Sequence, residues 1–336
     1  MKVFLPFEES RNLYLKEIQN LFKGTFTYGE FKDYKPDYDI VNIHWPESLF
    51  KWLEPSVEQL NFLETQLELW KKHSKIIVVI HNEHPHYKKT KIFKKLYDLV
   101  LSNAHGFIHL GQYSKNIYFD KYNNAMHTVI EHPLYTSFPN SISKIEARKK
   151  LNISSKAKVI LVFGVLRSEE EEKMMLNAFK KLKLPHKTLL VPRFNYHFLN
   201  KKNRVWRKFV RYFYTWHPQY FFKSKFVKNE EIQIFANAAD VFWVVRKKGL
   251  NSGNVFLSWS FKKNVIAPQI GNMGEEVENV GGSVYDPNNI NSIKKAILKG
   301  LNTNFNNLDI KKIEAHHPKM IANKFDNFFE KIINEK

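Results

Sequence analysis

Three stretches hold most of the residues in this chain that could act on a phosphorylated ligand. In "LVFGVLRSEEEE", Gly164 and Arg167 stand between an apolar run and a helical pattern. Backbone amides at a helix start and a bidentate guanidinium can hold a phosphate there. The same residues also fit an arginine at a turn beside four solvated glutamates. In "VFWVVRKKGLNSGNVFLSWSF", Arg246 ends the next such run and Asn251, Ser252, Gly253 and Asn254 form the break. Gly253 admits close backbone approach, and Ser252 and Asn254 are good N-caps for an electropositive helix start. "VIAPQIGNMGEE" repeats the design, with Gly271 and Gly274 expected in the loop and Glu275 and Glu276 opening the helix. Three such loops on one sheet edge favour an anion site over three unrelated turns.

The first half supplies histidines. His44, Trp45 and Glu47 follow one apolar run; His81, Asn82, Glu83, His84 and His86 follow the next. His109 and His132 end later runs, where a structural histidine fits equally well. "HNEHPH" is a Pro-containing loop with no helix to present ligands at i and i+4, so no metal site is expected. If the chemistry needs a general base, Glu47, His81 and Glu83 are the candidates.

One segment differs from the rest. "NKKNRVWRKFVRYFYTWHPQYFFKSK" interleaves Lys202, Arg204, Arg207, Lys208 and Arg211 with Trp206, Phe209, Tyr212, Phe213 and Trp216. On a helix, Val205, Phe209, Tyr212 and Phe213 share a face. The expectation is a crossover helix with its aromatics inward and its cations solvated. The alternative is a helix lying on an anionic membrane. Nucleic acid suits the composition too, but no recognised module accompanies it.

The elements that must position these residues are legible in outline. Short β-branched runs alternate with amphipathic stretches, the pattern of parallel sheets covered on both faces. The series runs twice, separated by a Pro/Ser/Asn-containing linker from Pro133 to about Ile145. The expected organisation is α/β, with two Rossmann-like doubly wound domains facing a cleft. They span residues 1–140 and 141–316, and a terminal helix over 317–336 packs back on the first. The chain has 336 residues, no cysteine, and 53 Lys+Arg against 33 Asp+Glu, a formal charge of +20. That excess draws polyanions, be they phosphorylated substrates, anionic membrane or nucleic acid, although scattered lysines account for much of it. Disulfides and thiolate chemistry are excluded. No apolar run approaches the roughly 20 residues of a membrane span, and "MKVFLPFEES" lacks a signal-peptide core. A cytoplasmic protein is expected.

From Lys158 to Leu298 the chain resembles the nucleotide-binding half of bacterial GT-B glycosyltransferases. The resemblance rests on "FGVLR", "NEEIQIFANAADVFWVVR", "NSG", "NVIAPQIGNMGE" and "GGSVYDPNN". It is nearest to the retaining family 4, or "group 1", enzymes of surface polysaccharide synthesis. In the first half the resemblance is looser, carried by "DIVNIHWPE", "VVIHNEHPH", "GFIHLGQYSKN" and "VIEHP".

The resemblance implies transfer of a sugar from a nucleotide diphosphate, with UDP or GDP as the base, onto a saccharide or lipid-linked saccharide. The acceptor side would be His44, Trp45, Glu47, Asn82, His84 and His109. His81 would meet the donor sugar, Arg167 the diphosphate, the Ser252 and Gly253 amides a phosphate, and Glu275 the donor. No cofactor is implied. Arg204, Trp206, Arg207, Lys208, Arg211 and Trp216 would form any membrane contact, placing the protein peripherally on the inner face of the plasma membrane.

Two departures stand out. The family's lysine three residues after the arginine is Glu170 here, so Lys173, Arg193 or Arg246 must substitute. The paired glutamates flanking the phosphate loop are replaced by Leu250 and Ser258. A sugar-nucleotide epimerase and a degenerate GT-B scaffold that binds membrane or polyanion stay open as alternatives.

Overall fold

The apolar runs become strands because β-branched side chains buried on both faces suit a covered parallel sheet. The computed structural model describes residues 1–9, 13–85, 90–200 and 202–335; His86 lies outside them. The chain divides into two units, Met1–Pro133 with Ala315–Lys336, and Leu134–Glu314.

The first unit holds β1 (Lys2–Leu5), β2 (Thr25–Tyr28), β3 (Ile40–Ile43), β4 (Lys75–Ile80), β5 (Gly106–His109) and β6 (Met126–Val129). All pair parallel, in the order β2-β1-β3-β4-β5-β6. Its helices are α1 (Leu13–Gln19), α2 (Val57–His73), α3 (Lys91–Ser102) and α4 (Gln112–Phe119). A reciprocal capping box between Ser56 and Gln59 starts α2. Strand β2 was hidden in the sequence because "TFTY" is short and half polar, and only its pairing with β1 makes it a strand.

The second unit begins with α5 (Lys144–Lys150), β7 (Lys158–Leu161), α6 (Glu169–Lys181), β8 (Lys187–Val191) and α7 (Arg204–Trp216). It continues through β9 (Tyr220–Phe222), α8 (Asn229–Ala238), β10 (Val241–Trp243), α9 (Gly253–Ser260) and β11 (Asn264–Pro268). It closes with α10 (Gly271–Asn279), β12 (Ser283–Tyr285), α11 (Ile290–Asn302) and α12 (Ile310–Glu314). The sheet is again all parallel, ordered β12-β11-β10-β7-β8-β9. The order reverses between β7 and β10, the switch point where doubly wound sheets leave room for a ligand at their carboxyl ends.

The last helix, α13 (Pro318–Asn334), returns to the first unit. Its Ile321, Ala322, Phe325, Phe329 and Ile332 share a core with Val3, Leu5, Ile77 and Ile108.

Two expectations need correction. The segment 134–143 is no free linker: Leu134, Tyr135, Phe138 and Ile142 pack on the second unit's core, and the Tyr135 amide donates to Ser260 Oγ at 2.8 Å. Helix α7 is the crossover it was expected to be, but it buries none of its residues and its aromatics face outward. The short Val210 and Tyr214 stripe makes the packing contact instead.

Candidate functional site

At the carboxyl edge of the second unit's sheet, three loops are tied together by specific polar contacts. Glu171, in the first turn of α6, is buried. Its carboxylate accepts from the Arg167 amide at 2.8 Å, from Arg246 Nη1 at 3.4 Å and from the Lys247 amide at 3.3 Å. Asn254 Nδ2 donates to the Phe163 carbonyl at 2.7 Å, joining α9 to the loop after β7, with Gly164 directly beside that amide. Asn272 Nδ2 donates to Asn251 Oδ1 at 2.8 Å, joining α10 to the loop after β10. The loops expected from sequence therefore form one surface.

The charge balance there is uneven. Arg246 is buried, and its Nε–H meets no acceptor among the described residues. Burial, and next the nearby Arg167 charge, pull its pKa below the ordinary arginine value. Arg167 is exposed and forms no ion pair among the described residues. Glu171 thus offsets Arg246 while the Arg167 guanidinium has no ion-pair partner among the described residues, leaving positive charge for which an anion would compensate. Gly249 lets this arrangement form: a Cβ there would stand 3.4 Å from Arg167 Nη1, and its φ of +142° is strained for any other residue.

The helix starts differ from one another. Helix α6 is closed, with the Ser168 hydroxyl accepting from the Glu171 amide and four glutamates in the first turn complementing the dipole. Helices α9 and α10 are open: neither N-cap, Ser252 or Ile270, makes a side-chain cap bond, and neither first turn carries an acid. In α9 the Val255 amide donates to the Ser252 carbonyl and in α10 the Met273 amide to the Leu250 carbonyl, so the amides suited to an anion are those of Gly253 and Asn254. The helix starts without an acidic first turn are those of α9 and α10, and the loop that carries Arg167 is tied to theirs through Glu171 and Asn254.

Several expectations change. The four glutamates are not all solvated, since Glu171 and Glu172 are buried and Glu172 Oε2 accepts from the Phe198 amide at 3.0 Å. Asn254 is no N-cap, because α9 already starts at Gly253. Gly271 and Gly274 lie in α10 rather than in a loop. Gly271, at φ +55°, would place a Cβ 2.6 Å from the Leu250 carbonyl; Gly274 would place one 2.8 Å from that of Pro268. Glu275 is half-buried in α10 and Glu276 is buried, so neither opens the helix. Leu250 and Ser258 are both buried, and Ser258 Oγ donates to the Val255 carbonyl at 2.6 Å.

Of the three substitutes for the missing lysine, only Arg246 joins this surface. Lys173 pairs with Glu169 at 2.6 Å, and the Arg193 guanidinium lies over the Phe226 ring at 5.4 Å.

Sequence reasoning missed Glu171 and Gly249. The Ser168-x-x-Glu171 spacing, a capping-box signature, was the available signal for the first.

In the first unit, the edge between β3 and β4 carries an aromatic cluster. His44 Nδ1 and His81 Nε2 are 2.9 Å apart, so one proton lies between them. The His81 ring stacks on Trp45 with centroids 4.2 Å apart, and Tyr14 from α1 meets His44, His81 and His132 edge-on. Burial lowers the His44 pKa to about 3 and the His132 pKa to about 4, so both are neutral at ordinary pH.

His109 pairs with His127 at 2.9 Å. Because His127 Nε2 must donate to the Tyr122 carbonyl, its Nδ1 accepts from His109 Nε2–H. Burial pulls the His109 pKa to about 3. Glu47 accepts from the Tyr97 hydroxyl at 2.9 Å.

His44, Glu47 and His109 are 1%, 0% and 0% exposed. They cannot touch an acceptor and are reassigned to holding Trp45, His81, Tyr97 and their strands in place. Asn82 is half-buried, and exposed His84 lines, with Glu83, Lys94, Tyr97 and Tyr118, a cavity of about 530 Å³. No group of three or more His, Asp or Glu able to hold a metal occurs among the described residues.

No protein-family model matches the chain, and no curated protein matches it. Solved structures do. Anabaena HepE in complex with UDP superposes with a TM-score of 0.74 at 12% identity, covering 98% of this chain and 99% of that one. A glycosyltransferase from Rickettsia africae gives 0.66 at 12% identity, covering 100% and 99%. A trehalose-6-phosphate protein from E. coli bound with UDP-2-fluoro glucose gives 0.61 at 12% identity, covering 90% and 74%. The fold is that of the GT-B glycosyltransferases.

Proposed function

We propose that the protein is a glycosyltransferase that moves a sugar from a nucleotide-diphosphate donor to a hydroxyl of a saccharide or lipid-linked saccharide. The process served is bacterial surface polysaccharide synthesis, and the anomeric configuration is retained. One observation carries this reading: the starts of α9 and α10, the exposed Arg167 and the buried Arg246 held by Glu171 lie together at the switch point of the second sheet. That is a receptor for a diphosphate. Two of the structural neighbours hold UDP or a UDP-sugar, which makes UDP the base to test first and GDP the second.

In the reaction, the C1–O bond to the diphosphate breaks as the acceptor oxygen bonds to C1 on the same face. The acceptor proton passes to the leaving phosphate oxygen, so no protein base is needed. Arg167, Arg246 and the amides of Gly253 and Asn254 stabilise the charge gathering on the diphosphate, and Arg246 fills the role of the absent lysine. Glu275 accepts from hydroxyls of the donor, and His81, held by Trp45 and His44, orients the sugar.

The test is a thermal-shift panel of UDP-, GDP-, CMP-, ADP- and dTDP-sugars with their free diphosphates, followed by turnover with and without saccharide acceptors. A ligand that binds only the native state raises the melting temperature. A shift confined to one base, with acceptor-dependent release of its diphosphate, supports the proposal. Turnover without acceptor would indicate an epimerase, and no shift at millimolar ligand would reduce the protein to a scaffold.

A further inference from the structure

Helix α7 turns the usual amphipathic logic around. A crossover helix of a doubly wound sheet buries its apolar stripe. Here Val205, Phe209 and Trp216 are 78%, 61% and 72% exposed, and Trp206, Tyr212 and Phe213 are exposed with them.

At about 100° per residue, Val205, Phe209, Tyr212, Phe213 and Trp216 fall within an arc of about 100°, with Trp206 at its edge. Val210 and Tyr214, which touch the core, occupy the next sector. Arg204, Arg207, Lys208 and Arg211 fill the remaining arc, and the Arg211 guanidinium lies 5.0 Å over the Tyr196 ring. The outward aromatics pair along the helix, Trp206 with Phe209 at 5.7 Å and Tyr212 with Trp216 at 5.9 Å. The helix is held by one narrow stripe and presents an aromatic face bordered by four cations.

The chemistry of that face selects its occupant. Trp and Tyr settle at the level of lipid headgroups, and flanking Lys and Arg pair with anionic ones. The surrounding sequence offers no opposing charge: no Asp or Glu occurs between Glu172 and Glu230. No helix among the described residues is long and apolar enough to cross a membrane, so a bilayer contact must be made in the interface.

We propose that α7 lies in the surface of an anionic phospholipid bilayer, aromatic face down, and anchors the second unit there. This surface is separate from the loops assigned to the diphosphate and does not depend on that reading.

The experiment is sedimentation of the full chain with vesicles of 30% phosphatidylglycerol in phosphatidylcholine and with pure phosphatidylcholine. Single-stranded RNA binding and light scattering of the free protein run alongside. Each cation near an anionic surface changes partitioning about fivefold, so Arg204→Gln with Lys208→Gln should weaken anionic-vesicle binding about 25-fold. Phe209→Ser with Trp216→Ser should also weaken it while leaving the salt dependence of the residual binding intact. All four residues are exposed, so the melting temperature and any nucleotide-induced shift should stay at the wild-type value. Equal binding to both vesicle types, unaltered binding by either double variant, tighter binding to RNA, or a dimer dissolved by Phe209→Ser would each overturn the proposal. Nucleotide binding without vesicle binding would overturn this inference alone; vesicle binding without nucleotide binding would overturn only the function proposed above.

Discussion

The two sheets share an architecture and differ in what they place at their carboxyl edges. The first unit's edge is aromatic, made of His44, which burial keeps neutral, with Trp45, His81 and Tyr14 in ring-to-ring contact. The second unit's edge is cationic, made of Arg167, Arg246 and two open helix starts. Stacked neutral rings suit a sugar's hydroxyls and apolar ring faces, whereas guanidinium groups and free amides suit phosphate. One fold therefore supports either chemistry, and the loops decide which.

The contrast can be broken most severely at Gly271. Valine there would put a Cβ on the Leu250 carbonyl in a left-handed conformation, and we expect a loss of about 4 kcal/mol in urea unfolding of the second unit. Near-native stability would show that the start of α10 is not clamped as described. Ser258→Glu comes next. It buries an unpaired carboxylate in α9 and should cost about 3 kcal/mol without raising turnover; a gain in turnover would mean that this position faces the donor.

Arg167→Ala should weaken UDP-sugar or diphosphate binding about 30-fold, the loss of one charged hydrogen-bonding group, with little change in melting temperature. Arg246→Ala should weaken binding and stability together, because it strands Glu171. Isothermal titration combined with unfolding separates the two, and identical behaviour would erase the division of labour between exposed and buried arginine.

The smallest effect concerns the neutral edge. His44, His109 and His132 have folded pKa values below the unfolded 6.5, so their contribution is full above pH 6.5 and is lost as pH falls toward 3–4. Between pH 7 and 6 each should cost about 0.7 kcal/mol. Hydrogen exchange should show this loosening around β3, β4 and β5, while the second unit's edge holds. Equal loosening of both would remove the distinction.

The strand–helix alternation was legible because fully buried parallel strands read as runs such as "KIIVVI" and "KVIL". The breaks after β7 and β10 were legible from Gly164, at φ +85°, and from the Asn251–Asn254 run at the start of α9. The inward turn of Glu171 was not, since a run of four glutamates gives no local sign of which one faces in. Only the folded positions of Arg167, Arg246 and Lys247 decide that. Gly274 misled for the opposite reason: glycine suggests a loop, yet here it admits the Pro268 carbonyl against a helix. The direction of α7 was equally hidden, because an aromatic stripe has the same period whether it faces a core or a bilayer.

Helix α13 has a consequence for biosynthesis. Its Ile332 and Phe328 close over Gly106, and Asp326 accepts from the Lys23 amide, so residues made after the whole second unit complete the core of the first. A ribosome adding about 5–20 residues per second needs roughly 10–40 s to extend the chain from Leu134 through the end of α13. Until then the face of the earlier sheet that α13 shares with α1 stays only partly covered, and the later unit's strands are complete before α13 is made. The usual order of domain completion is thereby reversed, and the emerging first unit is the natural client for a chaperone that holds apolar surface at the tunnel exit.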